Sequence, residues 1–126
     1  MTARRLLYVL LALVLPAVAT FEVVEHDTGL WQLLVFALLP DLALFAGVGS
    51  GMARGQLHPR AVPLYNALHR FIGPVVLVAS TYWIGVPWLV AGLAWAAHVN
   101  FDRALGYGLR DAAGFQRRAS STPVVN

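Results

Sequence analysis

Long apolar runs separated by short polar stretches set the pattern of this chain. Four runs can be marked, at residues 6–24, 30–50, 61–84 and 86–109. Each is close to the roughly 20 residues that a helix needs to cross about 30 Å of hydrocarbon. None shows the period-2 alternation of a membrane-barrel strand, so the runs predict helices. Glu22 and the stretch Glu25-His26-Asp27-Thr28-Gly29 separate the first two, and a loop over residues 51–60 with Arg54 and Arg60 separates the next two. Gly85 marks a tight turn before the fourth run, with Pro87 in the first helical turn, where its missing N–H costs little. Short connections between long helices predict antiparallel neighbours. The expected architecture is all-α: a polytopic membrane protein with a four-helix antiparallel transmembrane bundle. It forms a single domain over residues 1–110, followed by a flexible basic cytoplasmic tail over residues 111–126.

Composition sharpens this. Of 126 residues, 59% are hydrophobic and 12% charged, against about 25% charged in an ordinary soluble domain. So few charges cannot coat a small soluble globule, and the apolar content excludes a disordered chain. The absence of cysteine excludes disulfides, a thiolate nucleophile and Cys-based zinc or iron–sulfur sites. All nine basic residues are arginines, scattered instead of forming a stripe, so no nucleic-acid partner is expected.

Arg4 and Arg5 precede the first run, Arg54 and Arg60 lie in the second loop, and Arg110, Arg117 and Arg118 follow the fourth run. All seven fall on one side of the predicted bundle, which the positive-inside rule makes cytoplasmic. Both termini are then inside, in a multi-pass protein of a bacterial-type inner (cytoplasmic) membrane with the lipid bilayer as its partner. Trp31, Tyr82, Trp83 and Trp88 mark the outer interface and Tyr107 the inner one. Met1 to Arg5, the Leu-rich run and Pro16-Ala17-Val18-Ala19 also fit a secretory signal cleaved after Ala19. The apolar run continues through Phe21, Val23 and Val24, which favours a retained span kinked at Pro16.

Charged groups at membrane depth cost at least a few kcal/mol each. Inside the runs lie Asp41, His69, Arg70, His98, Asp102 and Arg103, with Asn66 and Asn100. At 1.5 Å per residue, Asp41 is roughly 14 Å from the inner end of the second run and His69 roughly 12 Å into the third. His98 and Asp102 are roughly 16 and 10 Å from the inner end of the fourth. Three helices therefore bring polar residues to one layer in the cytoplasmic half. His98 and Asp102 are spaced i, i+4 and share a face, as do Tyr65 and His69; Asn66 and His69 are i, i+3 neighbours.

Asp41, His69, His98 and Asp102 supply two imidazoles and two carboxylates, a set suited to a divalent metal such as zinc or manganese, or to iron. Such a site can activate water for hydrolysis. Tyr65, Asn66, Arg70 and Arg103 then support it or bind an anionic substrate such as a lipid headgroup. The alternative is a non-enzymatic membrane protein, a small carrier working as a homo-oligomer or an assembly subunit. The same residues then form a polar clamp: Asp41 pairs with Arg70, Asp102 pairs with an arginine such as Arg103, and the histidines bond between helices. Gly47-Val48-Gly49-Ser50-Gly51 lacks the Lys-Ser/Thr of a P-loop and reads as a helix end. Gly92, Ala96 and Asn100 share a face that marks close helix packing.

Three segments carry a resemblance: Leu39-Pro40-Asp41-Leu42, the stretch Pro63-Leu64-Tyr65-Asn66-Ala67-Leu68-His69, and the stretch from Ala97-His98 through Asn100-Phe101-Asp102-Arg103 to Gly108-Leu109. With them, residues 30 to 116 resemble a small bacterial integral membrane family known as domain of unknown function 4260. The first helix matches poorly, because Glu22 and Glu25 fall late in it. The resemblance implies a four-helix membrane protein and carries no activity. Pro40-Asp41, His69 and His98…Asp102 with Gly106 are also similar in order to membrane-bound metal-dependent hydrolases of the YdjM type, which implies a metal site. Leu42-Ala43 stands where those proteins carry a second acid, and one histidine expected near His69 is missing.

Overall fold

The computed structural model describes residues 1–118. Six α-helices, joined by short turns except for the loop of residues 47–61 between the second and third, are followed by a small hairpin: α1 (Ala3–His26), α2 (Leu30–Ala46), α3 (Val62–Leu68), α4 (Ile72–Ala79), α5 (Thr81–Ile84), α6 (Val86–Leu105), β1 (Tyr107–Arg110) and β2 (Gln116–Arg118). The chain is thus mostly helical, with a β-hairpin that the all-α expectation omitted. Among the described residues two stretches are long and apolar enough to cross a membrane, Ala3–His26 and Pro59–Ala79; α2 is apolar but shorter.

Helix α6 is the hub, packing against α1, α2 and α4, whereas α1 and α2 barely touch each other. Thr2 starts α1 by accepting the Arg5 N–H at 3.1 Å, the usual N-cap arrangement. Close approach of α4 to α6 depends on glycine. A Cβ at Gly92 would lie 2.7 Å from Val78, and one at Gly73 would lie 2.2 Å from the indole of Trp95. Asn100, on the same face as Gly92, is buried and donates to the Ala96 carbonyl at 2.8 Å.

The main departure from the sequence reading is in the third run. It is not one helix over 61–84: a 3₁₀ turn (Pro59–Ala61) leads into α3, and α4 restarts only at Ile72. Pro74 accounts for the interruption. It has no N–H for the carbonyl four residues back, so it sits comfortably only in a helix's first turn, where α4 places it. Carbonyls freed at a break must find donors in an apolar setting, and α6 supplies them. Trp95 Nε1 donates to the Leu68 carbonyl at 2.7 Å, and Arg103 donates to the His69 carbonyl at 2.9 Å.

The other ends also shift. Helix α2 stops at Ala46 instead of residue 50, and α6 stops at Leu105 because Gly106 takes a left-handed conformation (φ 94°). Residues 107–118 are folded, where a flexible segment was expected from 111. Tyr107 pairs with Arg118 and Arg110 with Gln116 in an antiparallel hairpin. The hairpin is tied to the preceding loop: Leu57 N–H donates to the Gly114 carbonyl at 2.9 Å, and Gln56 donates to the Ala113 carbonyl at 2.8 Å. The expected flexible stretch Ser120-Ser121-Thr122-Pro123 lies outside the described residues.

Candidate metal centre

The four side chains singled out by depth and spacing converge. Asp41 comes from α2, His69 from the break after α3, and His98 and Asp102 from successive turns of α6. One donor atom from each lies within 4.8 Å of all the others. The contacts close a ring. His69 Nε2 is 3.5 Å from Asp41 Oδ1 and 3.3 Å from Asp102 Oδ2. His98 Nε2 is 3.2 Å from the same Asp41 oxygen and 3.5 Å from the same Asp102 oxygen.

The backbone orients both imidazoles. His69 Nδ1 lies 2.7 Å from the Tyr65 carbonyl and His98 Nδ1 lies 2.6 Å from the Ala37 carbonyl. A carbonyl only accepts, so each Nδ1 carries a proton, and in the neutral ring Nε2 is left with its lone pair. Both Nε2 atoms are buried, face the centre, and make no hydrogen bond among the described residues. The carboxylate oxygens are within ion-pair range of them without the geometry of a directed bond.

Local sequence explains how these positions arise. Pro40 removes an N–H from α2 and its ring crowds the turn before it. From that turn, Ala37 turns its carbonyl to His98, while Asp41, the residue after Pro40, enters the centre. Tyr65 holds His69 twice, through its carbonyl and by stacking its ring on the imidazole at 3.8 Å between centroids. Its hydroxyl accepts from Gln116 at 2.7 Å, and the Arg110 guanidinium lies 4.7 Å from its ring centre. The hairpin therefore braces the far side of His69.

The residues expected to support the site divide. Tyr65 and Arg103 act on His69, by stacking and by holding its carbonyl. Asn66 does not reach the centre. Its amide exchanges two hydrogen bonds with the Arg110 main chain, at 3.0 and 2.8 Å, and pins the hairpin. Arg70 is exposed. Among the described residues neither Asp41 nor Asp102 pairs with an arginine; both face histidines. Gln116 and the Ala37 carbonyl escaped the sequence reading. Pro40 next to Asp41 was the available signal for the second, and nothing in the pattern announced the first.

The donor set fits a divalent ion. In a tetrahedral site with metal–ligand bonds of 2.0–2.1 Å all six ligand–ligand distances are about 3.3 Å; the four His–Asp contacts run from 3.2 to 3.5 Å, and the two distances across the ring are within 4.8 Å, so a bound ion would draw those pairs together. His69 is buried, His98 and Asp102 largely so, and half of the Asp41 side chain is open. It opens into a cavity of about 400 Å³ between α1, α2 and α6, walled by Ala12, Pro16, Leu33, Leu38 and Phe101, with His98 and Asp102 at its polar end.

A family model described as a domain of unknown function, DUF4260, matches residues 5–119. The match takes in the first helix, which the resemblance over residues 30 to 116 had left out. No curated protein and no solved structure matches the chain.

Proposed function

For a chain that belongs to the DUF4260 family, a family that brings no established activity, we propose a multi-pass membrane protein carrying an intramembrane divalent-metal centre at Asp41, His69, His98 and Asp102, with metal-dependent hydrolysis as its chemistry. The observation that carries this is the pair of clamped imidazoles. Each presents a buried, unpartnered Nε2 to two carboxylate oxygens, and a metal-ligating histidine characteristically donates its other ring N–H to a carbonyl in this way. A cation at that point satisfies two nitrogen lone pairs and neutralises two carboxylates together, which removes most of the cost of holding them in a low dielectric.

Membrane embedding is supported by the outward faces. Leu7, Leu10, Leu13 and Phe21 on α1, Leu34 and Leu38 on α2, and Val75 and Val76 on α4 are exposed in the isolated chain. Soluble monomers rarely expose so much contiguous apolar surface. We place the C-terminal ends of α2 and α6, which lead into the segments carrying Arg54, Arg60 and Arg110, on the cytoplasmic side, with four membrane-crossing segments: α1, α2, the broken α3–α4 pair, and α6. Helix α2, at 17 residues, spans roughly 26 Å, so the bilayer thins beside it or the loop after Ala46 completes the crossing.

When bound, a divalent cation would polarise an ester, amide or phosphoryl oxygen and lower the pKa of a coordinated water. The protein's own part is positional. His69 and His98 are held by main-chain carbonyls, and Asp102 stands between them on the rigid α6. Asp41, the open member, faces the cavity from which a substrate arrives.

Metal analysis of the full chain, purified in detergent after growth in zinc- and manganese-supplemented medium, tests this. One equivalent of metal is expected in the wild type, with loss in His98→Ala and Asp102→Ala. Folded, metal-free wild type under these conditions removes the metal-hydrolase reading and leaves a polar clamp of ion pairs between protonated histidines and the two aspartates.

A further inference from the structure

A second polar site lies where the start of α1 meets the end of α6. Three arginines, Arg4, Arg5 and Arg103, with Tyr8, Thr2 and Gly106, line a pocket of about 350 Å³. It is separate from the metal centre: Arg103 leaves α6 next to Asp102 but turns away from it, donating to the His69 and Tyr107 carbonyls at 2.9 and 3.3 Å. Arg5 donates through Nε to the Ala104 carbonyl at 2.8 Å, and Arg4 donates through Nε to the Tyr8 hydroxyl at 3.3 Å. Among the described residues the terminal nitrogens of Arg4 and Arg5 have no hydrogen-bond partner, and no carboxylate lies within salt-bridge distance of any of the three guanidiniums.

Three like charges gathered around one pocket repel one another unless an anion sits between them. The positive end of α1, a helix of 24 residues, adds to the same potential. Thr2 and Arg5 already cap one N–H of its first turn, which leaves others facing outward. Guanidinium forks match the oxygens of phosphate in pairs. The pocket exceeds the size of inorganic phosphate alone and leaves room for what the phosphate is esterified to.

We propose that this pocket binds a phosphate group, mono- or diesterified, through Arg4 and Arg5 with Arg103 fixing its floor. Two sources carry that chemistry: the headgroup of an anionic phospholipid and a soluble phosphate or phosphate ester. Because Arg103 also holds the carbonyl of His69, the bound phosphate steadies the helix break that presents His69 to the metal centre. The phosphate site itself does not depend on a metal being bound.

The test uses the full chain in dodecyl maltoside without added phosphate. Inorganic phosphate is titrated and thermal unfolding followed, with chloride at matched ionic strength as control. In parallel, nanodiscs of phosphatidylglycerol are compared with phosphatidylcholine, and lipid retained after detergent extraction is counted by native mass spectrometry. Arg4→Gln is the informative variant, because the Arg4 side chain touches only Tyr8, whereas Arg103→Gln also disturbs the break. A rise in unfolding temperature with phosphate, weakened about tenfold in apparent affinity by Arg4→Gln, supports the site and a soluble source. One retained phosphatidylglycerol per chain, lost in Arg4→Gln, supports the site and a lipid source. No effect of phosphate beyond chloride together with no retained lipid overturns the proposal, as does unchanged binding in both Arg4→Gln and Arg4→Glu.

Discussion

Replacing Gly73 with alanine puts the packing of the broken third segment to a quantitative test. The new Cβ would stand 2.2 Å from the tip of the Trp95 ring and within 2.8 Å of two further ring atoms. Ordinary contact needs about 3.5 Å, so the indole must retreat by more than about 1 Å. It is not free to do so, because Nε1 is bonded at 2.7 Å to the Leu68 carbonyl that the break leaves open. Overpacking of this kind costs about 1–3 kcal/mol, and the lost hydrogen bond adds roughly 1 kcal/mol. The sum is a destabilisation of about 2–4 kcal/mol.

Helix content followed during thermal or denaturant unfolding in detergent measures it. Gly49→Ala serves as control, since its Cβ would meet only His58 at 3.6 Å and should stay within about 0.5 kcal/mol of wild type. Trp95→Phe removes the three offending atoms, so Gly73→Ala should lose most of its penalty in that background, a coupling of the kind a double-mutant cycle isolates. Wild-type stability of Gly73→Ala, or an equal penalty with and without Trp95, would refute the packing described here.

The remaining predictions concern how the centre is held. Pro40→Ala restores an N–H for the Phe36 carbonyl and relieves the ring's crowding of the turn that holds Ala37; if the Ala37 carbonyl thereby shifts off His98, metal affinity should fall about 10–100-fold, read by competition with a chelating dye. Deleting residues 111–126 removes the bonds from Gln116 to Tyr65, from Leu57 to Gly114 and from Gln56 to Ala113. At about 1 kcal/mol each the unfolding free energy should drop by roughly 3 kcal/mol, whereas a dispensable tail would leave it unchanged. Asn66→Ala should destabilise by about 1–3 kcal/mol through the Arg110 contacts yet retain full metal stoichiometry. Arg70→Gln should change neither stability nor metal content, because the side chain is exposed; a loss of metal would return Arg70 to the site.

The convergence of four polar side chains was legible because charge is so rare in this chain. Asp41, His69, His98 and Asp102 stand out against apolar neighbours, and a constant rise per residue placed them at one depth. The third segment misled for a related reason: an unbroken apolar run reports solvent, not backbone continuity. Pro74 was the sign of the break, but its meaning depended on partners from α6, Trp95 and Arg103, that lie far away in sequence. The hairpin was invisible for the opposite cause. Tyr107–Arg110 and Gln116–Arg118 are short and charged, and what orders them is tertiary: the Asn66 amide, the Leu57 backbone and the Tyr65 hydroxyl. Asp41–Arg70 and Asp102–Arg103 pairings followed from counting charges; the folded chain instead gives Arg103 a carbonyl and leaves Arg70 outside.

X-ray absorption at the zinc edge of the metal-loaded full chain tests the central claim most directly. Two clamped imidazoles and two carboxylates should give a nitrogen/oxygen shell at about 2.0–2.1 Å with the outer-shell scattering of two histidines, falling to one in His98→Ala. Zinc that fails to bind at one equivalent, or a spectrum with two imidazoles that His98→Ala and His69→Ala leave intact, would contradict a metal centre at these four residues.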